Sequence, residues 1–274
     1  METLLLLTAL LLGLVEAASE FLPISSTGHL IIVGDFLGFT GEQAETFEIF
    51  IQLGAILAVV WIYRQRIIHT LGEFRSDPTA QRLLLNLAIA FLPAAIVGVF
   101  FHNYITRFLF NPVSVATALV TGGIAILLIE HYANAFRVWE VDAMGWKEAM
   151  KIGLAQCLSL FPGVSRSGAT IMGGMVAGMS RLAATEFSFF LAIPTMFAAT
   201  LFSLYKARNS LAIEDIPIFA TGFVAAFLGS LLVVRFLLAY VAKHSFVPFA
   251  YYRIALGGLL LLYFHYHPWV AQAT

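Results

Sequence analysis

Long apolar runs alternate with short polar connections along the whole chain. Runs near 47–63, 83–101, 112–130, 184–205, 215–234 and 247–264 approach the roughly 20 residues an α-helix needs to cross a bilayer. A further run from Thr3 to Val15 is too short to cross alone and leads straight into a polar segment, residues 16–30, "EAASEFLPISSTGHL". Backbone groups at membrane depth must be hydrogen-bonded internally, so this part predicts a re-entrant helical hairpin broken at Pro23. The pattern as a whole predicts an all-α integral membrane protein in a single polytopic domain spanning 1–274.

Composition agrees with that reading. Sixty per cent of residues are hydrophobic, 11% are charged and mean hydropathy is +0.89, far from a water-soluble domain. A net charge of −1 gives no basic face for nucleic acid. The single cysteine, Cys157, excludes an internal disulfide framework and a cysteine-rich metal site. No basic residue precedes the N-terminal apolar run, which argues against a cleaved secretory signal.

The polar segment returns later in the chain. Shifted by 140 positions, "GLVEAASEFLPISSTGHLI" (13–31) lies over "GLAQCLSLFPGVSRSGATI" (153–171), matching Gly13, Leu14, Ser19, Phe21, Ser25, Gly28 and Ile31. An offset of 136 then lays "FNPVSVATALVTGG" (110–123) over "FVPFAYYRIALGGL" (246–259). Each half, about 1–135 and 145–274, reads as a broken hairpin followed by about three spanning helices. Three crossings turn the second half over, which predicts an inverted-topology repeat whose half-helices meet near the bilayer midplane. The bias of Arg and Lys in the connections supports an orientation. Arg64, Arg66, Arg75 and Arg82 mark the 64–82 loop as cytoplasmic, and both termini are expected on the periplasmic side. Lys206 and Arg208 run against that bias.

The two polar segments differ in chemistry. Glu16 and Glu20 stand i,i+4 and so share a helix face. Such a pair can hold a divalent cation, or one member can hold a proton and act as acid or base; interfacial glutamates facing water are the plainer alternative. Ser25, Ser26 and Thr27 suit a helix N-cap, Gly28 allows close backbone approach, and a helix N-terminus favours phosphate oxygens. His29 can hold a metal, pass a proton or attack phosphorus. In the second segment Arg166 replaces Ser26, Gln156 replaces Glu16 and Leu160 replaces Glu20. One hairpin thus carries carboxylates and a histidine, the other a guanidinium suited to bidentate phosphate binding. Glu42, Glu45 and Glu48 read as a solvated loop face, and Tyr251 and Tyr252 as part of an aromatic belt.

Taken together, Glu16-Ala-Ala-Ser-Glu20, Ser25-Ser26-Thr27-Gly28-His29 and Pro162-Gly163-Val164-Ser165-Arg166-Ser167-Gly168-Ala169-Thr170 resemble the bacitracin-resistance family of undecaprenyl-diphosphate phosphatases, along essentially the whole chain. Ala17 stands where the commoner family pattern has glycine. The resemblance implies removal of the terminal phosphate of undecaprenyl diphosphate in the bacterial inner membrane, recycling the carrier for peptidoglycan and lowering bacitracin sensitivity. It also implies a divalent cation, Mg or Ca, at Glu16 and Glu20. Ser25, Thr27, Gly28, Ser165, Ser167, Gly168 and Thr170 are expected to cradle the diphosphate with Arg166. The nucleophile is Ser26, His29 or an activated water, with Ser26 assisted by His29 preferred. Partners are the polyprenyl diphosphate lipid, membrane lipids and, as an allowed assembly, a homodimer. Three rivals remain, one of them a noncatalytic membrane scaffold, which would leave the matched polar hairpins unexplained. An inverted-repeat transporter or flippase would bind the lipid without releasing phosphate. A phosphatidic-acid-phosphatase-type enzyme would need a histidine shortly after Arg166, and none is present.

Overall fold

The computed structural model describes residues 2–109, 111–133, 135–207 and 215–266. The chain begins with α1 (Glu2–Ser19), α2 (Ser26–Phe36), α3 (Glu42–Ile62), α4 (Arg64–Gly72), α5 (Pro78–Leu109) and α6 (Pro112–Tyr132). It continues with α7 (Trp146–Cys157), α8 (Arg166–Val176), α9 (Arg181–Ala207), α10 (Ile216–Val241) and α11 (Val247–Tyr266). Among the described residues five helices are long and apolar enough to cross a membrane, six if the bent pair α3–α4 is one span. The six expected runs all fall on helices, and the chain is an all-α integral membrane protein.

One connection differs from expectation. The segment after residue 63 starts as a helix rather than a loop, with α4 turned 72° from α3. Its sequence, RQRIIHTLG, explains this. Ile67, Thr70 and Leu71 line an apolar cavity on one face, while Arg64, Gln65 and His69 are exposed. That division suits a helix lying at an interface rather than crossing it. Acidic residues before the third helix also differ. Glu48 lies on α3 and is half-buried, and the side chains of Glu42 and Glu45 fall outside the described residues. So do Arg208 and the chain end after residue 266.

The order α1, α2, α3, α5, α6 recurs as α7, α8, α9, α10, α11. The halves pack across one another: α1 lies chiefly on α10 and α7 chiefly on α5, while α6 pairs with α11 and α3 packs first on α10 and then on α9. Gly13 and Gly153, which coincide under the 140-residue shift, sit at the two crossings. A Cβ on Gly13 would lie 2.4 Å from the Gly222 carbonyl oxygen, and one on Gly153 would lie 2.8 Å from that of Ala90. Small residues let the helices approach this closely where lipid supplies no hydrophobic drive.

Phe21, at the end of the first hairpin limb, is fully buried and meets Phe189 of α9 edge-to-face at 5.4 Å. Glu130 of α6 receives a bidentate bond from Arg181 of α9, and its Oε1 also accepts the Phe246 N–H at 2.7 Å. That half-buried pair ties the ends of α6, α9 and α11.

Candidate functional site

Both hairpins turn on the same backbone device. Ser25 has φ 72° and Ser165 φ 77°, the two non-glycine residues with positive φ among the described ones. Such conformations cost of order 1–3 kcal/mol and persist where the surroundings hold them. In each case the serine Oγ accepts the N–H three residues on, from Gly28 at 3.4 Å and Gly168 at 3.1 Å. An eleven-residue helix follows each cap, α2 and α8, so both helix N-termini begin at the tips.

The tips meet through Glu20. Its Oε1 accepts Arg166 Nη2 at 2.8 Å, and its Oε2 accepts the Ser26 hydroxyl at 2.5 Å. Ser167 Oγ donates to the Leu22 carbonyl at 2.9 Å, a second tie between the hairpins. Arg166 also donates to the Ser188 carbonyl at 3.2 Å and sits over the Phe21 ring. Glu20, Ser26 and Arg166 are therefore one hydrogen-bonded unit, although 146 residues separate Glu20 from Arg166.

Two groups at this junction lack partners. Glu16 is fully buried and neither carboxylate oxygen has a hydrogen-bond partner; Arg166 Nε is also buried and unpartnered. Leaving buried polar groups unmade costs about 1–3 kcal/mol each, more for charged ones, so a ligand that satisfies both fits this place. Gln156, the counterpart of Glu16, is equally buried but bonded: its Nε2 donates to the Ala90 carbonyl and its Oε1 accepts Thr195 Oγ1, both at 3.4 Å. The open carboxylate belongs to the first hairpin alone.

These residues fit a divalent cation. Carboxylate oxygens are the hard donors that Mg or Ca takes, Glu16 presents two of them, and Glu20 stands one turn away. No cluster of three His, Cys, Asp or Glu occurs among the described residues. Such an ion would meet the two open oxygens of Glu16, with Glu20, whose oxygens accept Ser26 and Arg166, beside it.

Other expected residues lie differently. His29 donates Nδ1–H to the Ser25 carbonyl at 2.7 Å, and its Nε2 meets Tyr252 Oη at 2.6 Å, so neither ring nitrogen bonds Ser26. Tyr252, read from sequence as a belt residue, reaches into the site. Thr170 is fully buried, with its hydroxyl on the Arg166 carbonyl and on Ser188 Oγ at 2.6 Å. Ser165 and Ser167 share a 3.0 Å bond, and Thr27 is half-buried at the start of α2. Gly28 and Gly168 turn their Hα sides to protein: a Cβ on the first would meet Val115, and on the second Arg253 Nη1, at 3.3 and 3.2 Å.

Arg253 is the main residue that sequence reasoning passed over. It is buried to 1% exposure on α11 and donates all five N–H bonds to backbone carbonyls. Nη1 reaches Pro23 and Val164, Nη2 reaches Ala118 and Gly163, each at 3.0–3.1 Å, and Nε reaches Leu119 at 3.3 Å. One guanidinium therefore clasps both tips to α6. Gly163, at φ +88°, admits no Cβ here because one would lie 2.6 Å from the Val115 oxygen. The signal was available in the 136-residue overlay, which places Tyr252 and Arg253 over Ala116 and Thr117.

An apolar cavity of about 540 Å³ between α3, α4, α5 and α9, bounded by Val60, Leu87, Phe91, Phe190 and Phe197, contains none of the site residues.

Comparison with known proteins bears on this geometry. The profile of the family described as "Bacitracin resistance protein BacA" matches residues 9–259. An undecaprenyl-diphosphatase of Ectopseudomonas mendocina is 55% identical over 259 residues, 94% of each chain. One from Nitrosospira multiformis is 55% identical over 262 residues, 96% of each, and one from Pseudomonas aeruginosa 52% over 259 residues, 94% of each.

Proposed function

The chain belongs to the BacA bacitracin-resistance family, and from that premise we propose how its two hairpins carry out the reaction for which its relatives are named. It is an undecaprenyl-diphosphatase: it removes the terminal phosphate of undecaprenyl diphosphate and returns undecaprenyl phosphate, the carrier used in cell-wall synthesis. A transporter acting without hydrolysis is not favoured, since the relatives are named for the hydrolase.

The observation that carries the mechanism is the shared carboxylate, with Glu20 bonded to Ser26 through one oxygen and to Arg166 through the other. Ser26 Oγ attacks the terminal phosphorus as its proton passes to Glu20 Oε2; the P–O bond to the bridging oxygen breaks and undecaprenyl phosphate leaves. Water then cleaves the phosphoseryl bond, releasing phosphate and restoring Ser26. Arg166 holds the phosphoryl oxygens, with its unpartnered Nε as a further donor. The N-termini of α2 and α8 add their partial positive charge. A divalent cation held by Glu16 and Glu20 would offset charge on the diphosphate oxygens. Positioning and charge dominate phosphoryl transfer, which suits a site of one serine, one arginine and acidic ligands.

The same reading puts the chain in the bacterial inner membrane as an inverted repeat, with both termini and the site toward the periplasm. Support comes from the arginines of α4, from Arg75 and Arg82 before and at the start of α5, and from the paired serine turns. A homodimer is compatible with it.

The test is phosphate release from undecaprenyl diphosphate by purified protein, with Mg or with chelator, beside Glu20→Gln. Metal-dependent release that Glu20→Gln abolishes supports the shared carboxylate; full activity in Glu20→Gln would remove it.

A further inference from the structure

Tyr252 lies outside both hairpins, yet its hydroxyl is 2.6 Å from His29 Nε2. The other ring nitrogen fixes what that contact must be. The Ser25 carbonyl can only accept, so Nδ1 carries a proton and donates it over 2.7 Å. In a neutral imidazole Nε2 is then the acceptor, and the Tyr252 O–H must donate to it. When Nε2 gains a proton the bond reverses: Nε2–H donates to Tyr252 Oη, and the tyrosine proton turns outward. The rings lie 8° from parallel with centroids 5.6 Å apart, so the contact fixes the imidazole plane as well as its tautomer.

His29 therefore presents no open nitrogen. Whatever proton it exchanges passes the Tyr252 hydroxyl or requires breaking that bond. Tyr252 is 45% exposed, whereas His29 lies deeper, between the Ser25 turn and α11. We propose that Tyr252 is the positioning residue of His29, setting its tautomer and plane and standing in the path of any proton that Nε2 exchanges. The inference rests on the phosphatase reading above. Ala116 occupies the corresponding place in the first half, so the arrangement is found on one side of the repeat only. The charged group acting on the His29 ring is Arg253, which follows Tyr252 on α11; α1, which also packs on α2, carries Glu16 near its C-terminal end. From α6, Val115 and Leu119 face α2 at Gly28.

Full-length protein in detergent would be assayed on undecaprenyl diphosphate across pH as wild type, Tyr252→Phe, His29→Gln and the double variant. Tyr252→Phe keeps the ring and removes only the hydroxyl. The expected result is a kcat lowered roughly tenfold, in the range of other orienting partners of histidine, with KM within about twofold. The pH limb lost in His29→Gln should be displaced in Tyr252→Phe, and the double variant should be no slower than His29→Gln. A purely structural role would lower thermal stability without moving that limb. Unchanged kcat and pH profile in Tyr252→Phe, losses that multiply in the double variant, or full activity in His29→Gln would each overturn the inference. Wild-type protein that releases no phosphate would overturn the phosphatase reading and this inference with it.

Discussion

The two hairpin tips share a backbone and divide a chemistry. Ser25 and Ser165 take the same strained turn, cap the same position and start helices of eleven residues. Past the cap the likeness stops. The first tip carries Glu16, Glu20, Ser26 and His29; at those places the second has Gln156, Leu160, Arg166 and Ala169. The buried glutamine is hydrogen-bonded, and the buried glutamate is not. A repeated frame thus fixes where groups stand, while unequal substitution decides which half is acid and which is base. Neither half alone has both the arginine tip and the open carboxylate.

The largest effect expected from breaking this division comes from removing one group on each side. Arg166→Ala and Ser26→Ala should each lower kcat about 10³-fold, and the double variant should fall little further because the two act through one carboxylate. Phosphate release in pre-steady-state assays would check this; a Ser26→Ala enzyme near wild type would assign the attack to water. Next, Gln156→Glu would make the tips alike. It places a carboxylate at a fully buried position and loses the bond to Ala90, which should destabilise the protein by about 3 kcal/mol in thermal unfolding. Metal affinity should not rise, and if it did the cation would not be confined to the first tip. The reverse change, Glu16→Gln, should raise the Mg concentration needed for half-maximal activity by about 10- to 100-fold while stability holds or improves, since the unpartnered buried carboxyl is gone. Smallest is Ser165→Ala, which deletes the cap on Gly168 and keeps the strained φ. A loss of about 1 kcal/mol is expected, with Ser165→Gly losing less because glycine accepts that φ.

The spanning helices were legible because length and apolarity in lipid leave little choice but helix. The amphipathic α4 was not, since arginines every second residue resemble a loop until Ile67 and Leu71 find an apolar wall. At the candidate site, the meeting of the two hairpins was legible because the repeated local spacing marks both tips, which Glu20, Ser26 and Arg166 join. Arg253 could not be read that way: its partners at Pro23 and Gly163 lie 230 and 90 residues away, and they are backbone oxygens with no sequence signature. Tyr252 was hidden for a related reason, since a tyrosine near a helix start satisfies an aromatic belt equally well. For His29 the place in the chain suggested Ser26 as its partner; one helical turn instead carries Nδ1 back to the Ser25 carbonyl.

The clasp at Arg253 also orders events in the life of the chain. A ribosome delivers the acidic tip first and the arginine tip some 140 residues later. The side chain that clasps both of them to α6 comes only with α11, after both signature motifs have been made. Until then the two tips lack the guanidinium that holds Pro23, Gly163 and Val164 to α6.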